Sequence, residues 1–140
     1  MLHTASMIGE RIGIVTFMDE FTPDFIRRWR IHGLNFNIVS LKSIEMTWKS
    51  FRAKKDQLHR KFIEVARKCI EDDKADVLIA NCVTFLPFLP DRKVLEKTLG
   101  VPVIDSLALS LKYAEMFTSL GYAHSRKAYP RLSLYQLSSA

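Results

Sequence analysis

The sequence predicts an α/β fold built on a four-stranded parallel sheet. Three observations predict it. Short, nearly continuous apolar runs alternate with stretches of helical periodicity along the chain. The helical stretches carry start and stop residues at their ends. No repeat, linker or low-complexity segment interrupts the pattern, and 140 residues with 48% hydrophobic content suffice for one core.

Each element has its own warrant. His3–Gly9 reads as a short leading helix, and Arg11–Phe17 as a first strand covered on both faces. Thr22-Pro23-Asp24 opens a helix: threonine caps, proline takes the first helical position and the acid meets the positive helix end. Phe25, Ile26 and Trp29 form its inward face, and Gly33 is placed to close it. Asn35–Leu41 reads as a second strand, ending near Ser40. Across 56–72, Leu58, Phe62, Val65, Ala66 and Cys69 recur at helical spacing and form one stripe.

The third strand lies in Ala75–Thr84, where an apolar run stops at Asn81-Cys82. Pro90-Asp91 starts a helix that closes at Gly100, and Val101–Asp105 is a fourth, short strand. Ser106 is expected to cap a last helix to about Leu120, closed by Gly121. Strands joined by helices give right-handed crossovers and a flavodoxin-like three-layer sandwich. Residues 1–125 are expected to form a single α/β domain, with 126–140 an irregular tail.

Composition narrows the function classes. Net charge is +6. Residues 42–74 hold ten Lys/Arg against six Asp/Glu, and no acid follows Glu115. The charges of 49–74 fall on the polar side of a helix, so a solvated face is expected. No aromatic-interleaved basic motif points to nucleic acid. No apolar run approaches the ~20 residues that span a bilayer. Two cysteines and no secretory leader point to reduced thiols in the cytoplasm.

The residues able to do chemistry gather at strand ends, where open parallel sheets bind ligands. Cys82 follows the third strand, where nearby amides can stabilise a thiolate or hold an oxyanion. The competing reading is a small buried hydrophobe. Thr16 ends the first strand, and its hydroxyl with the amide of Phe17 can bind a carboxylate. Asn81 and Thr84 flank the thiol, and Asp105 and Ser106 follow the fourth strand. Polar strand ends are also ordinary turn chemistry. Cys69 sits on the apolar helix stripe and is expected in the core. The four histidines are scattered, and neither metal-ligand spacing nor a phosphate-cradling glycine loop occurs.

Several segments together resemble one family. Leu99–Asp105, the helix carrying Lys112 and Ala114-Glu115, and Ser125–Pro130 are similar to the C-terminal part of hydantoin racemases, within the aspartate/glutamate racemase superfamily. Arg11–Thr16 resembles the strand that opens the second lobe there, and His3–Gly9 the helix before it. Cys82 stands where that family carries its second-lobe catalytic cysteine.

The resemblance implies one lobe of a two-lobed, cofactor-independent racemase acting on a small amino acid, hydantoin or related carboxylate. Cys82 would be the acid/base, and Thr16, Phe17, Asn81, Val83 and Thr84 would contact substrate. One thiolate removes the proton α to a carbonyl, and a second thiol returns a proton on the opposite face. Asn81 replaces the family's glycine before the cysteine, and Val83-Thr84-Phe85 replaces Ala-Gly-Met after it. The first lobe, with its own cysteine, has no counterpart in these residues. The resemblance therefore implies a partner, either a second copy or a separate first-lobe chain, and an exposed apolar face around Phe85, Leu86, Phe88 and Leu89. The alternative is a non-catalytic binding module that keeps only the fold.

Overall fold

The computed structural model describes residues 1–31 and 37–130. Gly33, and the Asn35-Phe36 start of the expected second strand, lie outside the described residues. Among these residues, five α-helices and four strands follow in the order α1 (Leu2–Ile8), β1 (Ile12–Thr16), α2 (Thr22–Ile31), β2 (Ile38–Ser43), α3 (Lys55–Glu71), β3 (Val77–Ala80), α4 (Arg92–Leu99), β4 (Val103–Asp105) and α5 (Ser106–Ser119). Residues Met1–Ser110 make one compact unit, and a second begins at Leu111.

All strand pairs are parallel, and the sheet order is β2-β1-β3-β4. The chain moves from β1 outward to β2, then crosses back over β1 to β3. The β1–β3 boundary is therefore the switch point, the place where ligands enter such sheets. Register sets Val15 opposite Ala80, so Thr16 and Asn81 are the next residues beyond them.

The period-two alternation of strands divides the core into two layers. On one face, Val15, Leu78, Ala80 and Val103 pack with Leu58, Phe62, Ala66 and Cys69 of α3 and with Leu95 and Leu99 of α4. On the other, Ile12, Ile14, Val77, Ile79 and Ile104 pack with Leu2 and Ala5 of α1, joined by Trp29 of α2 and Leu109. Gly13 sits where α3 and the sheet press close together. A Cβ there would fall 2.7 Å from Leu78 Cδ2 and 2.8 Å from Ala75 Cβ.

Four local expectations need correction. Thr22 is already helical (φ −56°, ψ −47°), because a 3-10 turn at Asp19–Phe21 starts the helix earlier. The second strand runs to Ser43, so Ser40 is mid-strand, paired with Gly13. Its hydroxyl donates to Asp73 Oδ2 at 2.6 Å. Asp105, not Ser106, caps α5: its Oδ1 accepts from the amides of Leu107 and Ala108, both at 2.9 Å. Ser106 is buried and donates to the Ala80 carbonyl at 3.0 Å, tying β4 to β3.

The fourth concerns the apolar run after the cysteine. Phe85 is fully buried and Leu89 nearly so, with Leu86 and Phe88 half-buried. Phe85 meets Phe51 and Phe62 edge-on, at 5.8 and 5.9 Å between ring centroids. This run closes the α3–α4 layer. The exposed apolar surface lies elsewhere: every described residue from Leu111 onward is exposed, including Met116, Phe117, Leu120 and Tyr122.

Candidate active site

Three strand ends converge on the carboxyl rim of the sheet. The Asn81 amide donates to the Val15 carbonyl at 2.9 Å, extending the β1–β3 ladder by one bond. The main chain after Thr16 is held as well. Its carbonyl accepts from Ile44 and that of Phe17 accepts from Met46, both at 3.0 Å. The rim is therefore backed by hydrogen-bonded main chain rather than by free loops.

Thr16 is fully buried, yet its Oγ1 has no hydrogen-bond partner. Asn81 Nδ2 is buried in the same condition. A buried polar atom left unpaired costs about 1–3 kcal/mol, and folded proteins keep few of them. Two on neighbouring strand ends, at the switch point, suit a site that waits for a ligand's polar atoms.

Cys82 is half-buried beyond β3, with its Sγ 2.8 Å from Thr84 Oγ1. It packs against the α3–α4 layer, in line with Ala80 and Leu78. Asn81 lines a cavity on the opposite face with Ile14 and Ile79. The rim thus presents the thiol on one side of the sheet and the unpaired amide on the other. Val83 is half exposed, Thr84 is exposed, and Phe17 is partly buried against the α3–α4 layer and 4.9 Å from the Phe21 ring.

The second cysteine is of another kind. Cys69 is fully buried on α3, and burial pushes its thiol above the usual range. A buried thiol that resists ionisation is a poor nucleophile or base. Beside it, Lys42 Nζ and Ser40 Oγ meet the Asp73 carboxylate at 2.7 and 2.6 Å. The pairing holds Asp73 below the ordinary carboxylate range, through Lys42 first and Ser40 second. Sequence reading missed this cluster, because Lys42 and Asp73 are joined only by the fold. Its job is to bind edge strand β2 to the turn after α3.

An open α/β lobe with a thiol and unpaired polar groups at its switch point has the architecture of sheets that take ligands at the strand rim. The chain belongs to the Asp/Glu/Hydantoin racemase family, whose profile matches residues 1–114. It is 24% identical over 125 residues to a hydantoin racemase of Pseudomonas sp. (strain NS671), covering 89% of this chain and 49% of that one. The hydantoin racemase of Rhizobium meliloti is 27% identical over 137 residues, covering 94% and 54%. Among solved structures, the allantoin racemase of Klebsiella pneumoniae superposes with a TM-score of 0.79 at 22% identity, over 89% of this chain and 50% of that chain. That of Pseudomonas fluorescens gives 0.78 at 23%, over 89% and 52%. The structural likeness establishes the flavodoxin-like racemase lobe as the fold. The chain spans about half the length of the relatives it matches.

Proposed function

We propose that this chain is one lobe of a cofactor-independent racemase, with Cys82 moving a proton at the carbon α to a carbonyl. The observation that carries the reading is the half-buried Cys82 at the sheet rim, its sulfur 2.8 Å from Thr84 Oγ1. In the forward step the Cys82 thiolate takes the α-proton and becomes a thiol. The C–H electron pair moves into the carbonyl and forms an enolate. A thiol on the opposite face then gives its proton to the α-carbon. The enolate oxygen needs donors, and the Thr16 hydroxyl and the rim amides of Phe17, Val83 and Thr84 are assigned to the substrate's oxygens. The relatives named hydantoin and allantoin racemases support a substrate of that kind, a small cyclic amide or amino-acid derivative.

The reaction needs a second acid on the far face, and Cys69 is sealed in the core. We assign that role to another lobe, contributed by a separate first-lobe chain or by a second copy. The exposed apolar side chains of α5, Leu111, Met116 and Phe117 among them, support such a partner. The reducing cytoplasm, where Cys82 stays a thiol, is the compartment assigned.

The test is α-proton exchange in D2O with a 5-substituted hydantoin, followed by NMR, beside polarimetry. One working thiol exchanges the α-proton, and two opposed thiols also racemise. Cys82→Ser should abolish both. Exchange that survives Cys82→Ser would reject the assignment. The half-length match also favours a second reading, a binding module without catalysis, whose signature is substrate binding with no exchange in the wild-type chain.

A further inference from the structure

The turn between β2 and α3 carries a charge cluster that the α/β core does not use. Lys49, Arg52, Lys54 and Lys55 are all exposed, and Asp56 is the single acid between residues 46 and 63. None of the four cations forms an ion pair among the described residues. The spacing predicts these charges on the polar side of a helix, but α3 begins only at Lys55, so Lys49, Arg52 and Lys54 stand on the turn before it. Trp48 heads the same turn and is 63% exposed, with Lys49 Nζ 5.7 Å from its ring centroid.

The turn is built to present these groups. Phe51 is fully buried and anchors it, edge-on to Phe85 at 5.8 Å. The amides of Ser50, Phe51 and Lys54 donate to the carbonyls of Thr47, Trp48 and Ser50 at 3.0, 3.4 and 2.8 Å. The Ser50 hydroxyl donates to the Thr47 carbonyl at 2.7 Å. A turn anchored in this way binds without first being ordered, which spares the entropy that a loose loop loses.

We propose that this turn docks on an anionic lipid bilayer, with the Trp48 indole at the headgroup level and the four cations among the lipid phosphates and carboxylates. An indole suits a boundary that is apolar on one side and wet on the other. Lys49 lies over one face of the Trp48 ring, and a nucleobase stacking there would displace it. Headgroups diffuse to meet fixed charges, so cations spread along a turn need no matching pocket. The contact is peripheral: among the described residues no helix is long and apolar enough to cross a membrane. Neither Cys82 nor a substrate takes part, so this docking is separable from the racemase chemistry.

Co-sedimentation of the 140-residue chain with phosphatidylcholine vesicles, with and without phosphatidylserine, tests this. The chain should bind only the vesicles that contain phosphatidylserine, less at high salt, and its tryptophan emission should move to the blue. Trp48→Phe should still bind but without that shift, since the remaining tryptophan, Trp29, packs against the core. Lys49→Gln combined with Arg52→Gln should weaken binding about fivefold for each charge removed. Lys93→Gln combined with Lys97→Gln, two exposed lysines of α4, removes the same charge and should change binding less than ~twofold, because the attraction fades within a Debye length. Equal losses in the two double variants would reduce the effect to net charge and overturn the proposal. So would the absence of binding to phosphatidylserine, a bound chain whose emission does not shift, or tighter binding to single-stranded DNA or polyglutamate at the same salt.

Discussion

The Asn81 amide donates to the Val15 carbonyl at 2.9 Å, and this bond sets Thr16 and Asn81 side by side at the switch point of the sheet. Both end a strand, and both hide a polar atom that no protein group satisfies. The main-chain carbonyls of Thr16 and Phe17 and the main-chain N–H of Asn81 are hydrogen-bonded, while these side-chain atoms are not. That difference separates a ligand-ready edge from an ordinary strand terminus, where turn chemistry consumes the polar groups.

Thr16→Val tests the cost of that readiness. Valine has the same shape and removes the unpaired hydroxyl. The variant should be more stable by about 1 kcal/mol, which raises the melting temperature by roughly 3–5 °C in a chain of this size. Its α-proton exchange should fall. Thermal denaturation beside the exchange assay reads both, and a clear loss of stability would mean that the hydroxyl is structural.

The two thiols should differ sharply in alkylation. Cys82 is reachable at the rim, whereas Cys69 is sealed under α3 with its ionisation opposed by burial. Reaching Cys69 requires local opening, and an opening cost of about 3 kcal/mol slows labelling roughly 100-fold. Iodoacetamide followed by peptide mass spectrometry should find Cys82 labelled first. Equal rates would remove the contrast on which the acid/base assignment rests.

Much of this architecture was legible in the residues. The Leu58–Phe62–Ala66–Cys69 stripe predicts α3 and its buried face, and Asp91 and Gly100 mark the ends of α4 as its N-cap and left-handed C-cap. What escaped was decided by tertiary partners. Ser40 resembles a strand end until Asp73, 33 residues away, accepts its hydroxyl proton. β2 lies at the sheet edge with only Ser40 fully buried, so its apolar signal is weak. Phe85 and Leu89 read as an exposed face when the absence of a first lobe is taken to uncover them. Phe51, contributed by the turn before α3, and Phe62 of α3 cover Phe85 instead.

The Asp73 pairing makes stability depend on pH at both extremes. Lys42 and Ser40 hold the Asp73 carboxyl below its ordinary value of 3.8. Its contribution is therefore present above that value and lost as pH falls through the lower, folded-state one. Asp73 raises the pKa of Lys42 above its ordinary 10.5. That contribution is complete below 10.5 and lost as pH rises through the folded-state value. The pair is partly exposed, so about 1 kcal/mol or less is at stake. Lys42→Met should flatten the denaturant midpoint against pH on both flanks. A profile unchanged by Lys42→Met would show that the pair contributes nothing to stability.

Leu111 onward poses the sharpest question about assembly. Leu111, Met116, Phe117, Leu120 and Tyr122 are all between 43 and 66% exposed. The only ion pair among the described residues of α5 joins Lys112 to Glu115 at 2.6 Å. A helix with so little charge and so much apolar surface favours association. In light scattering the chain should therefore run heavier than a monomer. Phe117→Glu combined with Leu120→Lys should return it to monomer without changing the far-UV spectrum of the α/β unit. A wild-type chain that stays strictly monomeric at high concentration would rule out a second copy as the missing lobe and leave a separate first-lobe chain as the source of the second acid.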